Sequence, residues 1–226
     1  MADVLAIFAH PDDETFICGG SLASFAAKGQ KVALVCATKG EMGRRVGVPP
    51  TATRETLPKL REAELRAACA ALSIEDLIFL GYRDKTLEIQ PLDEMVDSLV
   101  HILNEEQPHV VVTFHERLGG HADHCTIGHA ARLAFERHAT DRRDSPSLLY
   151  VAWPGMASDP QAYGLDAKDI VQVDVRDALP QKLQAFRAHK TQSDLNSWLW
   201  KKDARAIDKL SAREYFIRAA GPGLTL

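Results

Sequence analysis

VLAIFAHPDDE, residues 4–14, decides the fold, because an unbroken apolar run stops abruptly at a histidine, a proline and three carboxylates. Runs without polar alternation are typical of strands that helices cover on both faces of a sheet. Such runs recur along the chain, at residues 31–38 (KVALVCAT), 77–80, 109–114 (HVVVTF), 148–153 and 170–175. Amphipathic or capped segments between them predict helices at residues 22–27, 56–72, 92–104, 127–137 and 178–189.

The alternation of these segments predicts the fold class. We expect an α/β protein with a Rossmann-like, mostly parallel sheet that is flanked by helices on both faces. Short connections from strand to helix leave the C-terminal strand ends along one edge, where ligands usually bind. The active site is therefore expected at that edge. Residues 39–54 form an irregular stretch that is too long for a plain connector, and we interpret it as a loop of this site.

The composition is that of an ordinary globular protein with one unusual count. The chain has 226 residues, of which 46% are hydrophobic and 26% are charged, and we expect a single domain over residues 1–226. The formal net charge of −4 gives no general attraction to nucleic acid or to anionic lipid. The count that stands out is the nine histidines.

The cysteines and the N-terminal sequence indicate a cytoplasmic protein. Four cysteines are scattered without a C-x-x-C pair, unlike those of a small disulfide-stabilised secreted domain. The N-terminus has no basic region, and no window approaches about 18 uninterrupted apolar residues. We therefore expect the protein in the cytoplasm and outside the membrane.

The first cluster of chemically useful side chains follows the apolar run at residues 4–9. His10 and Asp13 lie close together in a turn that Pro11 stiffens, and both side chains are suitable ligands for Zn²⁺ or a similar ion. Asp12 adds a carboxylate that need not bind the metal and can take a proton from water. The alternative is an acidic helix N-terminus, in which the carboxylates only complement the helix dipole.

The second cluster follows the apolar run at residues 109–114. It contains His121, Asp123 and His124 at the start of a predicted helix. Both clusters come after buried parallel strands, so they should converge at one edge of the sheet. Three protein ligands with a fourth position left for water are typical of a catalytic zinc site. The sequence therefore predicts a metal-dependent hydrolase.

Two other classes of protein share parts of this pattern. A nucleotide-binding Rossmann module would fit the parallel sheet and the Gly19-Gly20 pair, but the G-x-G-x-x-G signature is missing, and carboxylates occupy the place of a phosphate-binding loop. A non-catalytic metal-binding protein would need a closed set of ligands. Asp12 and His121 would then have no task.

The motifs AHPDDE (9–14) and HADH (121–124), with GEMGR (40–44) and GYRD (81–84) between them, resemble those of the LmbE-like (PIG-L) zinc-dependent N-acetylglucosamine deacetylases. Residues 40–65 and 74–88 are similar to bacillithiol-biosynthesis deacetylases of the second type. The resemblance implies a hydrolase that removes acetyl from an N-acetylglucosaminyl conjugate, with N-acetylglucosaminyl malate as the expected substrate. It also implies a homo-oligomer, a trimer or a hexamer. A bacillithiol S-conjugate amidase is the alternative.

The resemblance also implies roles for the residues of both clusters. The implied ligands of Zn²⁺, or of Fe²⁺ or another divalent ion in its place, are His10, Asp13 and His124. Asp12 would be the general base, and His121 would stabilise the oxyanion or protonate the leaving amine. Asp123 would orient His121 as a supporting carboxylate.

Substrate contacts are implied for three further residues: Glu41, Arg61 and Asp84. Carboxylates accept hydrogen bonds from sugar hydroxyls, and a guanidinium offers a rigid fork of donors. The sequence departs from the family at Gly119, where some members carry a Tyr or Arg that assists the tetrahedral intermediate. We therefore expect the oxyanion to depend more on the metal and His121, or on another group such as a loop arginine.

Overall fold

The computed structural model describes residues 1–45, 49–140 and 145–222, and its described part contains one sheet of seven strands. The strands are β1 (Val4–Phe8), β2 (Val32–Thr38), β3 (Asp76–Tyr82), β4 (Val110–Thr113), β5 (Ser147–Ala152), β6 (Ile170–Asp174) and β7 (Arg213–Ala220). Their order across the sheet is β3-β2-β1-β4-β5-β7-β6. Parallel pairing joins the first five strands of this order, and only β7 runs against its neighbours. The predicted fold class, a mostly parallel sheet between helices, is confirmed.

Eight α-helices belong to the described residues. They are α1 (Asp13–Ala27), α2 (Leu57–Leu72), α3 (Leu92–Glu106), α4 (Ala122–Ala139), α5 (Pro154–Ser158), α6 (Leu179–Ala188), α7 (Lys190–Ser193) and α8 (Asp203–Ile207). Helix α3 packs against α4, whereas α1, α2 and α6 pack against one another. Every residue of β1 and β2 is buried, as expected for strands covered on both faces.

The first helix is longer than the sequence pattern predicts. It begins at Asp13, nine residues before the predicted start, and continues through Gly19 and Gly20 across a kink at Cys18. A Cβ atom on Gly20 would lie 2.7 Å from the Cβ of Val175, so glycine permits this close approach. The early start places the residues after β1 directly on the first turn of a helix.

Strand β7 was missed because the prediction relied on continuous apolar runs. Its sequence, REYFIRAA, mixes charged and apolar residues, and only Glu214, Phe216 and Ile217 are fully buried. The strand lies between β5 and the edge strand β6 and pairs with both in antiparallel fashion.

The strand order places the two sequence clusters side by side. Strand β1 pairs with β2 on one side and with β4 on the other. The connections from β1 to β3 extend the sheet in one direction and those after β3 extend it in the other, so the topological switch point lies between β1 and β4. Crevices outside the carboxyl ends of strands at such a switch point are the usual ligand sites of open α/β sheets. His10 follows β1 and the HADH motif follows β4.

The other sequence expectations concern the cysteines, the membrane and the long loop. Cys18, Cys36 and Cys69 are buried free thiols. Within the described ranges, no helix is long and apolar enough to span a membrane. The expected site loop at 39–54 is described except for residues 46–48, which lie outside the described residues.

Candidate active site

The turn after β1 is held by its own backbone and side chains. The Asp13 carboxylate accepts a hydrogen bond from the backbone N–H of His10 at 2.8 Å, which closes the turn. Asp12 between them has a φ of 119° and a ψ of −26°, a left-handed conformation that non-glycine residues rarely adopt. Its carbonyl accepts from the amides of Thr15 and Phe16 and so continues into α1.

Three side chains implied as metal ligands meet at one point. His10 Nδ1 lies 3.2 Å from His124 Nε2, and His124 Nε2 lies 3.3 Å from an Asp13 carboxylate oxygen. The other Asp13 oxygen lies 3.6 Å from His10 Nδ1. Two ligands of a tetrahedral zinc ion, each about 2.0 Å from the metal, are about 3.3 Å apart. The donor set and its spacing therefore fit a divalent metal ion of this kind.

His124 is oriented so that only Nε2 faces this point. Its Nδ1 atom lies 2.9 Å from the carbonyl oxygen of Gly119, and its ring stacks on Phe114 with centroids 3.9 Å apart. A Cβ atom on Gly119 would lie 2.9 Å from the Cβ of His124. A side chain at this position would therefore crowd His124.

His10 is supported from its other side by two carboxylates. Its Nε2 lies 3.1 Å from Asp84 Oδ1 and 3.1 Å from Asp123 Oδ2. A carboxylate behind a metal-binding imidazole fixes its tautomer and raises its basicity. Burial would lower the pKa of His10, but hydrogen bonds to Asp123, Asp13 and Asp84 outweigh burial and raise it to about 12.

The prediction that the Asp123 carboxylate orients His121 was wrong. Its carboxylate contacts His10 and accepts from the backbone amides of Lys85 and Leu87, at 2.7 and 3.2 Å. Toward His121 it is the backbone N–H of Asp123 that donates, to Nδ1 at 3.1 Å. Asp123 lies in the first turn of α4, so its amide can donate to the capping side chain of His121 while its own side chain contacts His10.

This amide contact sets the protonation of His121. Because Nδ1 accepts a hydrogen bond, the neutral ring carries its proton on Nε2. Burial lowers the pKa of His121, and the neighbouring His10 and His124 lower it further. The ring nitrogens of these three histidines lie within 4.8 Å of one another. His121 therefore presents an N–H donor at the edge of the metal-ligand cluster.

The half-buried Asp12 pairs with the buried Arg61 beside the cluster. The Arg61 side chain is 3% exposed, and its guanidinium contacts Asp12 Oδ2 at 3.1 Å, the carbonyl of Pro11 and, at 3.0 Å, the carbonyl of Gly40. Burial raises the pKa of Asp12 to about 6, although Arg61 opposes the shift. The described contacts of Arg61 support the turn that carries Asp12, and they leave the expected sugar contact as a prediction.

The two loops that carry GEMGR and GYRD are joined reciprocally. Glu41 accepts a hydrogen bond from the amide of Asp84 at 3.0 Å, and Asp84 accepts from the amide of Met42 at 2.8 Å. Burial would raise the pKa of Asp84, but its hydrogen bond to His10 and other contacts lower it to about 2. Glu41 therefore supports the Asp84 loop, and its predicted sugar contact remains a prediction.

A cleft of about 230 Å³ opens above these groups. Its described lining includes His10, Asp12, Asp13, Met42, Gly43, Arg61, Asp84, Lys85, His121, His124 and Gln192, but not Glu41. Seven of the nine residues to which the sequence assigns a role thus line the cleft. The other two, Asp123 and Glu41, contact the lining residues His10 and Asp84.

Gln192 lines the cleft as well, although the sequence pattern predicts no role for it. Gln192 Oε1 accepts from the backbone N–H of Arg44 at 3.3 Å, and its Nε2 donates to the Arg44 carbonyl at 3.1 Å. The side-chain amide therefore holds the loop after β2 against α7, across the cleft. Its position 148 residues along the chain from Arg44 left no local signal of this contact.

Comparisons with known proteins find a matching family model and similar proteins. The family model for PIG-L, the GlcNAc-PI de-N-acetylases, matches residues 5–135. The chain is 34% identical to a probable N-acetyl-alpha-D-glucosaminyl L-malate deacetylase 2 of Bacillus cereus, over 94% of this chain and 96% of the relative. The Bacillus subtilis protein of the same name is 38% identical, over 84% and 83% of the two chains.

Among solved structures, the chain resembles the N,N'-diacetylchitobiose deacetylase of Pyrococcus horikoshii. The TM-score is 0.70 at 24% identity, and the match covers 98% of this chain and 84% of the other. At this level of identity the likeness shows the shared fold.

Proposed function

Because the chain belongs to the PIG-L family of de-N-acetylases, we propose that its cleft hydrolyses the acetamide of an N-acetylglucosaminyl conjugate, with N-acetylglucosaminyl malate as the substrate. The observation that carries this proposal is the meeting of His10, Asp13 and His124 at metal-ligand spacing beside Asp12. A non-catalytic metal site would have no need of Asp12, whose carboxylate lies beside the three ligands and whose backbone is strained. The relatives named for this reaction cover nearly the whole chain.

The metal would be held by His10, Asp13 and His124, a donor set that suits Zn²⁺ and also suits Fe²⁺. A bound divalent ion supplies Lewis acidity, which polarises the amide carbonyl and eases the deprotonation of water. Asp84 and Asp123 keep the ring of His10 oriented for that task. The carboxyl of Asp12 stays outside the ligand set, held by Arg61.

Asp12 acts as the base and then as the acid. Its carboxylate takes a proton from the attacking water as the oxygen–carbon bond forms at the acetyl carbonyl. When the carbon–nitrogen bond breaks, the same carboxyl gives that proton to the departing amine, and acetate leaves. A pKa near 6, raised by burial, suits a group that must both accept and return a proton near neutral pH.

His121 stabilises the oxyanion. The Asp123 amide holds the ring as the Nε2–H tautomer, so the ring can donate a hydrogen bond to the developing charge. A neutral imidazole would have to become an anion to protonate the amine, so we assign the proton transfer to Asp12. Of the two roles that the sequence left open for His121, we therefore propose oxyanion stabilisation.

The experiment is release of free amine from N-acetylglucosaminyl malate. We expect turnover that a chelator abolishes and that added Zn²⁺ restores. A bacillithiol S-conjugate assayed in parallel separates the deacetylase from the amidase. Turnover that persists without metal, or no turnover of the malate conjugate, would contradict the proposal.

The malate group and the assembly are further parts of the proposal. Arg44 and Lys85 are exposed cations near the mouth of the cleft, and Lys85 lines it. Their charge suits a dicarboxylate attached to the sugar. A homo-oligomer, a trimer or a hexamer, is the proposed assembly, and the molar mass from light scattering checks it.

A further inference from the structure

A buried chain of contacts lies behind Asp12, on the side away from the cleft. The Glu14 side chain is 1% exposed, and its Oε2 accepts a hydrogen bond from the backbone N–H of Asp12 at 3.1 Å. Its Oε1 lies 2.6 Å from His189 Nε2 and also accepts from the hydroxyl of Thr15. His189 itself is 0% exposed. The imidazole therefore reaches the backbone of Asp12 through a single carboxylate.

The backbone of Asp12 requires such support. A φ of 119° in a non-glycine residue is strained, and such conformations persist only where the surroundings over-determine them. Two side-chain contacts fix the residue: Arg61 on α2 holds its carboxylate, and Glu14 in the first turn of α1 holds its amide. If the amide is released, the residue can relax to negative φ, and the direction of its Cα–Cβ bond changes.

The contacts of His189 point to one task. Its Nε2 faces Glu14, whereas its Nδ1 is buried and has no hydrogen-bond partner among the described residues. Among the described residues, Glu14 is therefore the one hydrogen-bond partner of the His189 ring. Burial would lower the pKa of His189, but the nearby Glu14 carboxylate outweighs burial and raises it.

We propose that His189, acting through Glu14, is a positioning residue that holds the backbone of Asp12 in the conformation that aims its carboxylate at the cleft. This inference rests on the proposed function, because it assigns Asp12 as the base. His189 joins α6 to α7, and Gln192 on α7 holds the loop across the cleft. Residues 189–192 would thus support the site at two points.

The test compares His189→Gln, His189→Asn and His189→Leu. Gln places its amide nitrogen near the position of Nε2 and can donate to Glu14, whereas Asn carries the same amide one methylene shorter. We expect kcat to fall about 10- to 100-fold in the Asn and Leu variants, the usual loss for a supporting partner, and Gln to recover most of it. KM and bound metal should stay as in the wild type, because no metal ligand is substituted and Asp12 is assigned to proton transfer and not to substrate binding.

His138→Leu is the matched control. His138 is also a buried histidine, and its Nδ1 lies 2.7 Å from Asn104 Oδ1, on the α3–α4 side of the sheet. The control should lose stability but keep kcat. Equal kcat for the Gln and Asn variants, or a loss that appears only in KM or in bound metal, would overturn the positioning role.

A crystal structure of His189→Leu separates this inference from the proposed function. We expect φ of Asp12 to leave the positive range in that structure. An unchanged Asp12 backbone would overturn the inference, whatever the substrate. If the wild type releases no amine from the malate conjugate, the proposed function fails instead, and the backbone of Asp12 still decides the inference. If the Leu variant does not fold, the Asn variant takes its place in the same comparison.

Discussion

Helix α1 is held at two places by the same physical device. At its start, the front clamp, Glu14 with His189, accepts the amide of Asp12. Farther along the helix, the rear clamp, Glu214 with Lys182, accepts the amides of Gly20 and Ser21 at 2.9 and 2.7 Å. In each clamp a buried carboxylate binds backbone N–H groups and pairs with a buried basic side chain.

The two clamps differ in the residues whose backbone amides they bind. The rear clamp satisfies N–H groups just after the break at Cys18, where the helix loses regular hydrogen bonds, and its nearest consequence is stability. The front clamp fixes a strained residue whose side chain lines the cleft. The comparison teaches that burial and pairing do not distinguish structural from functional charges. The position of the restrained atom does.

The largest loss of kcat is expected for a substitution of Asp12, the residue whose amide the front clamp binds. Asp12→Asn keeps the backbone amide for Glu14 and an oxygen for Arg61 but removes the base, so kcat should fall about 10²- to 10⁴-fold. The free energy of unfolding should not decrease, because burial already disfavours the charged form and raises the pKa of Asp12 to about 6. Steady-state kinetics and urea unfolding check both. A destabilised variant with normal kcat would break the distinction between the clamps.

Breaking the rear clamp should have the opposite signature. Lys182→Met leaves Glu214 buried without its cation, which should cost about 3–5 kcal/mol of unfolding free energy. The value of kcat per folded molecule should remain that of the wild type. Urea unfolding and kinetics at a temperature where the variant is folded give the two numbers. A parallel loss of kcat would show that the rear clamp also reaches the cleft.

A smaller loss should come from crowding at the rear clamp. In Gly20→Ala the new Cβ would lie 2.7 Å from the Cβ of Val175 and 3.0 Å from Glu214 Oε1, so overpacking should cost about 1–3 kcal/mol. The matched control is Gly19→Ala, whose Cβ meets no atom closer than 3.4 Å and which should be neutral or stabilising. Thermal unfolding of both variants checks the difference. Equal melting temperatures would refute close packing at Gly20.

The clamps also mark the limit of sequence reasoning. The two His/Asp clusters were found because each follows an apolar run, which is a local pattern. The start of α1 was missed because Gly19 and Gly20 are typical helix breakers. In the structure Gly20 packs against Val175 and donates its amide to Glu214, and both residues lie far along the chain. The direction of the Asp123 carboxylate was wrong for a similar reason, since the choice between His10 and His121 depends on how β1 and β4 pair.

The sequence by itself determined the kind of sheet and the residues that stand at its active edge. Continuous apolar strands are typical of sheets whose two faces are both covered by helices. The residues directly after a strand lie at its C-terminal end, which is the edge where ligands bind. Only the tertiary structure decided how those residues are held. The left-handed Asp12 and the Glu14–His189 pair depend on side-chain contacts between segments that are far apart in the sequence. Partners such as Glu14 and His189 lie 175 residues apart, and no local pattern specifies such a pair.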